Sequence, residues 1–283
     1  MTLPLHERAF LKAKYTFIKL KRRFKHRMRF LKWYLRISFG RSVDIFPDKS
    51  KATVLLNSFM RVKNIDPIVK ACLKCRFIEK VIVSNNNPEY RIEDWVKSRD
   101  KRVILINQPV RKRCRIRWVV AARHKSEYYI AIDDDLFIYP EQLKFLFTQL
   151  LKNPAIPHSL FGTIISKSKD ASSRFESTYL LQAEEDVDVI HQIYAVTREH
   201  VRNYFKLLRN IYTTNRVAAG YLRKRGDDIT ISHTGDGRPA IHDAGFVLEC
   251  QTNTDPNLAT FKQEGFYNQR EEILETARIL TNR

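Results

Sequence analysis

The stretch EYYIAIDDDLFIYP, residues 127–140, sets three adjacent carboxylates between a strand-forming run and a second apolar run. Like charges this close repel, and carboxylates are rarely buried without partners. YYIAI has the β-branched and aromatic content of a buried strand. Pro140–Lys152 behind it has helical spacing, with proline in the first turn and Asn153-Pro154 as its stop. A strand that ends on Asp133, Asp134 and Asp135 and then feeds a helix is one unit of an alternating α/β fold. In such sheets ligands bind beyond the carboxyl ends of the strands, which places the aspartates at that rim.

Working outward, the same alternation repeats. ATVLLNS (52–58) reads as a strand, and a helix follows over 64–74 with Asp66 near its start and Pro67 in its first turn. EKVIVSN (79–85) is a strand closed by the turn chemistry of Asn85-Asn86-Asn87-Pro88, and RVILIN (102–107) is another. Arg113–His124 reads as helix, LFGTIIS (160–166) and VDVIHQIYAV (187–196) as single strands, and Glu199 to about Ile211 as helix. Residues 167–186 and 213–240 read as long polar loops, which in compact α/β domains are commonly functional. The pattern predicts a mainly parallel sheet flanked by helices.

The 283 residues are 43% hydrophobic and 11% aromatic, enough for a globular core. Four cysteines make no disulfide framework, and Cys72 and Cys75 read as small apolar residues on a helix face. No run approaches the roughly 18 apolar residues of a membrane span, and no signal peptide is evident, so a cytoplasmic location is the expectation. The net charge of +20 is uneven: residues 1–41 hold thirteen Lys and Arg against Glu7 alone, leaving +8 for the other 242 residues. Phe10, Phe17, Phe24 and Leu31 recur every seven residues there, with Ala13, Leu20, Met28 and Leu35 beside them and Gly40 as a stop. Residues 1–42 therefore read as a basic amphipathic helical segment ahead of a domain over 43–283. Three partners suit it: an anionic membrane surface, the body of the protein, or nucleic acid.

Three carboxylates in a row become favourable when a hard cation opposes them, and oxygen ligands suit Mn²⁺ or Mg²⁺. An acidic helix N-terminus would account for one or two aspartates, less well for three. The basic run Arg111–Arg117 lies just upstream and suits phosphate clamping beside a metal. A second acidic signal is Arg225-Gly-Asp-Asp, where Gly226 permits unusual backbone and Asp227 and Asp228 open a helix, as cap or as cleft-facing carboxylates. His191, His233 and His242 are candidates to complete a metal shell, against the ordinary reading of each as structural.

TVLLNSFMR (53–61), KVIVSNNN (80–87), RCRIR (113–117), YIAIDDDLFI (129–138), FGTIISK (161–167) and GDDITIS (226–232) together resemble, in content and order, the exostosin-type family of GT-A glycosyltransferases. The resemblance runs from about residue 52 to 233. It implies a Rossmann-like, mixed, mainly parallel sheet and a UDP-sugar donor, with an N-acetylhexosamine as the transferred sugar, a glycan or lipid-linked acceptor, Mn²⁺ and retention of stereochemistry. It also implies residue roles: Ser58, Arg61 and Asn86 at the nucleotide, Arg113 and Arg117 on the nucleotide sugar, Asp133 and Asp134 at the ribose side with Asp133 also at the metal, Asp135 as direct metal ligand, and Asp228 with Asp227 at the reacting sugar. Lys112 departs from the family's asparagine, and beyond residue 233 the match fades, leaving Tyr267, Asn268 and Arg270 as candidates. Two rivals remain. A sugar nucleotidyltransferase would want a glycine-rich loop after the first strand, where Asn57–Asn64 has no glycine. A nucleic-acid-binding protein without catalysis suits residues 10–36 but leaves both acidic motifs unexplained.

Overall fold

The computed structural model describes residues 5–45, 49–168, 174–252, 255 and 260–283. In chain order the elements are α1 (Leu5–Phe39), β1 (Ala52–Ser58), α2 (Ile65–Leu73), β2 (Ile78–Asn85), β3 (Val103–Asn107), α3 (Ile116–Arg123), β4 (Tyr128–Ile132), β5 (Leu136–Phe137), α4 (Pro140–Lys152), β6 (His158–Ser159), β7 (Phe161–Lys167), β8 (Phe175–Leu181), β9 (Glu185–Asp186), β10 (Val189–Ile190), β11 (Ile193–Thr197), α5 (Arg198–Thr214), α6 (Arg216–Leu222), α7 (Asp227–Ser232), β12 (Ala240–Ile241), β13 (Leu248–Glu249) and α8 (Phe266–Thr281).

The main sheet runs β3-β2-β1-β4-β11-β6-β12-β9. Its first four strands are parallel, and β11 turns antiparallel against β4. The chain moves outward from β1 to β3 and then returns through α3 to β4 on the other side of β1. That reversal opens a crevice between the carboxyl ends of β1 and β4, the usual ligand position in such sheets. The expected mixed, mainly parallel sheet flanked by helices is the observed fold.

Alternation along the strands explains the two faces. Val54, Leu56, Ile130 and Ile132 point into a core under α2, α4 and α1, while Leu55, Tyr129 and Ala131 point into a second core under α3 and α5. With both faces covered, the central strands are apolar throughout, which is why they stand out in the sequence. A third cluster, with Leu207, Ile211, Ala218, Ile229 and Ile273, packs α5, α6, α7 and α8 together. Cys72 and Cys75 are both buried and their thiols are pushed up by that burial, as inert core residues.

Three expectations are corrected. The single strand over 187–196 is two: β10 pairs with β7, β11 pairs with β4, and Gln192 between them takes a left-handed φ of 61° that sends the chain from one sheet into the other. The polar loop over 167–186 contains β8, a mostly exposed partner of β7, and β9. The loop over 213–240 contains α6 as well as α7. The N-terminal segment forms one helix. Phe10 and Ala13 of its stripe lie outside the described side chains. Among the described residues no helix is long and apolar enough to cross a membrane.

Candidate active site

The three aspartates after β4 have three different surroundings. Asp134 turns back toward β1: its carboxylate accepts from the Phe59 N–H at 3.2 Å and from Arg61 Nη1 at 3.1 Å, and its own carbonyl accepts from Asn64 Nδ2 at 2.8 Å. Burial raises its carboxyl above the usual range, with Arg61 and the N–H opposing. Asp134 has both oxygens engaged in holding the β1 loop against the β4 loop.

Asp133 points the other way. Its Oδ1 accepts from Arg117 Nη2 at 2.7 Å, and its backbone N–H donates to the Gln192 carbonyl across the start of β11. Asp135 lies 3.2 Å from Arg61 Nη1, while its Oδ1 is buried without a hydrogen-bond partner. Burial, then Asp133 and Asp134, push its carboxyl up to about 7. Arg61 also donates to the Thr252 hydroxyl and carbonyl, so every nitrogen of its guanidinium meets a protein group.

The second acidic motif joins the same rim through Arg117, which lies over the Tyr194 ring. Its Nε sits 3.4 Å from Asp227 Oδ2, a contact of charge only, since Asp227 Oδ2 and Arg117 Nη1 are both buried without hydrogen-bond partners. Asp227 is pushed up to about 6 by burial, with Asp228 and Asp133 adding to it and Arg117 opposing. Gly226 makes this arrangement possible. It precedes α7 with φ 96°, and a Cβ there would come within 2.7 Å of Ile273 Cδ1.

Asp228 is held from two sides. Arg270 on α8 grips it with Nη1 at 2.8 Å and Nη2 at 2.7 Å, and His191 Nδ1 approaches at 3.2 Å while its Nε2 meets the Thr163 hydroxyl. Burial works against the charge, but Arg270 and His191 overcome it and hold the carboxyl far below the usual range.

The basic loop packs against the end of β1. Arg111 lies over the Phe59 ring at 3.9 Å, and Asn57 Nδ2 donates to the Cys114 carbonyl, tying this loop to the end of β1. Asn86 is buried at the end of β2, with the Lys112 N–H at 3.4 Å from its side-chain oxygen, and the buried Ser58 hydroxyl has no partner. Arg113 takes a left-handed φ of 63°. Its charge reaches Arg225, whose guanidinium is lowered by burial and then by Arg113 and Arg270, and whose Nη1 is buried without a partner. Arg225 is a site residue the sequence reading does not find, whereas Arg270 is among its candidates. With Arg270 paired to Asp228, the positive charge of Arg113 and Arg225 gives this edge an attraction for anions.

Not every candidate joins the site. His242 is engaged elsewhere, with Nε2 at 2.9 Å from His158 Nδ1 and Nδ1 donating to the Glu184 carboxylate at 2.7 Å. His233 is buried against the Ile229 carbonyl. Neither completes a metal shell, because both rings are engaged elsewhere. His191 serves Asp228 instead, while Tyr267 and Asn268 face solvent. Among the described residues no three metal-ligating side chains converge. What the rim offers a divalent cation is an unfilled, repelled Asp135 oxygen beside Asp133. That donor set suits Mn²⁺ or Mg²⁺ completed by substrate phosphates and water rather than by a protein cage.

No protein-family model matches the chain, and no curated protein matches it. Among solved structures, one similar chain is a CMP:2-keto-3-deoxy-manno-octonic acid synthetase complexed with CTP, at 15% identity and a TM-score of 0.39, over 56% of this chain and 78% of that one. A likeness that slight leaves the chemistry to be argued from the residues themselves.

Proposed function

We propose that this protein is a metal-dependent glycosyltransferase that moves a sugar from a UDP-sugar donor to a glycan or lipid-linked acceptor. The exostosin-type resemblance makes an N-acetylhexosamine the expected sugar. The observation that carries the reading is Asp135: a buried carboxylate at the crevice between β1 and β4, crowded by two others, with one oxygen unfilled.

A cation held by Asp135 and Asp133 would supply Lewis-acid stabilisation to a departing diphosphate. Arg113 and Arg225 line the same edge and offer the leaving group further positive charge, and Arg117 fixes Asp133 and Asp227 in place. As the bond between the sugar's anomeric carbon and the diphosphate breaks, positive charge builds on the sugar. Asp228, kept ionised by Arg270 and His191, is suited to face that charge or to orient the acceptor hydroxyl. It is poorly suited to be the base, since a carboxyl so far below neutral pH has little affinity for a proton. The acceptor proton then passes to the leaving diphosphate as the new bond forms, which supports retention. The anomer of the product, read by proton NMR, checks that step.

A sugar nucleotidyltransferase is the second reading. Its triphosphate would need a cradle in the loop after β1, but the Phe59 N–H and Arg61 of that loop are turned onto Asp134 and Asp135. Calorimetric titration of UDP with and without Mn²⁺ tests the first reading. UDP should bind with Mn²⁺, much less without it, and not to Asp135→Ala. Indifference to UDP in both conditions, or release of pyrophosphate from a nucleoside triphosphate and a sugar phosphate, would overturn it.

A further inference from the structure

Helix α1 has two apolar faces, and the body uses only one. His26, Phe30, Trp33 and Ile37 recur at helical spacing on the inward side. Phe30 and Trp33 close on the Phe137 ring with centroids at 4.8 and 5.0 Å, and the His26 Nε2–H donates to the Glu249 carbonyl at 2.6 Å. Arg36 pairs with Glu141 and Arg29 lies over the Phe246 ring. Trp33 is wholly buried. These contacts fix the rotation of the helix against the two-stranded sheet of β5, which follows the aspartates, and β13.

The opposite side is apolar and exposed. Phe17 and Phe24 are each 67% exposed and Phe39 is 83% exposed, with Leu20, Met28, Leu31 and Leu35 also open. At 100° per residue these seven fall within an arc of about 100°, roughly opposite the docked face, along about 33 Å of helix. Exposed Lys14, Lys21, Lys25 and Lys32 follow one margin of the stripe and Arg27 the other. A single exposed apolar residue needs no explanation, but a continuous stripe this long does.

We infer that this face of α1 lies in the plane of an anionic lipid bilayer, its phenylalanines and leucines in the interface and its lysines on the headgroups. The chemistry of the face selects this partner. Two copies of a segment with thirteen cations and one acid would repel if their stripes met. A nucleic acid would answer the charge but leave the apolar stripe in water. An anionic bilayer satisfies both.

The test is flotation of the full chain with phosphatidylcholine vesicles and with vesicles that also contain phosphatidylserine. The protein should float with the anionic vesicles, and added salt should weaken this. Phe17→Ser with Phe24→Ser, at exposed positions, should lower the partition by about tenfold or more. Lys21→Gln with Lys25→Gln should lower it by roughly tenfold on anionic vesicles only. Failure of the intact, folded protein to float would overturn the inference. So would floating that survives the phenylalanine pair, or a dimer in sedimentation that the pair abolishes. None of these outcomes depends on UDP binding, so this inference and the proposed function can fail separately.

Discussion

Asp135 and Asp228 sit at the same rim, and their side chains are equally buried at 13% exposure, yet their carboxyls are driven in opposite directions. Asp135 is pushed up to about 7, and Asp228 is held far below the usual carboxylate range. Burial alone cannot separate them; the supply of counter-charge does. Asp135 shares a single arginine, Arg61, with Asp134, lies among two other carboxylates, and keeps one oxygen unfilled. Asp228 has both Arg270 nitrogens to itself and His191 behind it. One carboxylate is neutralised by the fold, and the other is left short of positive charge. A site that binds a cation with its substrate needs the second kind, and an anionic group that must stay ionised through a reaction needs the first.

The largest effect should come from breaking the satisfied side. Asp228→Asn leaves Arg270 buried without a counter-ion, and loss of one partner of a buried pair costs about 3–5 kcal/mol. Denaturant unfolding should show that loss, with the proposed sugar-transfer activity falling at the same time. Gly226→Ala should cost less, about 1–3 kcal/mol, because the residue needs φ 96° and its new methyl meets Ile273. It also shifts the turn that presents Asp227 and Asp228. Activity should therefore fall further than stability explains, as kinetics of the folded variant would show.

The smallest effect is a pH dependence. The Asp135 carboxyl is raised above its ordinary value, so the folded wild type takes up that proton before the unfolded chain does. The cost of its charge is present above about pH 7 and fades below it. Any advantage of Asp135→Asn over wild type in metal-free buffer should shrink as pH falls through that range. In both proteins burial depresses His158 and His233 to about 4, so the unfolded chain protonates them first and they cost stability as pH falls from about 6.5 toward 4, while Asp227, raised to about 6, works the other way as Asp135 does. Unfolding curves at several pH values separate the two trends.

The central fold was legible because β1, β2 and β4 are buried on both faces and therefore spell continuous apolar runs. β8 was not: its residues are mostly exposed, and what makes it a strand is its pairing with β7. The break at Gln192 was hidden because apolar residues continue on both sides of it. At the site, the position of Asp133, Asp134 and Asp135 could be read from the strand before them, but not their division of labour. That division depends on which loop each one faces. Arg270 comes 42 residues after Asp228, and only the packing of α8 on α7 brings them together. Local sequence holds no trace of that contact.

The most direct test of the contrast is thermal unfolding of Asp135→Asn and Asp228→Asn beside wild type, in metal-free buffer near pH 8. Replacing Asp135 removes a charge the fold fails to satisfy, so its midpoint should rise, by about 1–2 kcal/mol of stability. Replacing Asp228 removes a charge the fold has satisfied, so its midpoint should fall. Shifts of opposite sign are the predicted result. A lower midpoint for both variants would mean that Asp135 is as well paired as Asp228, and would contradict the account.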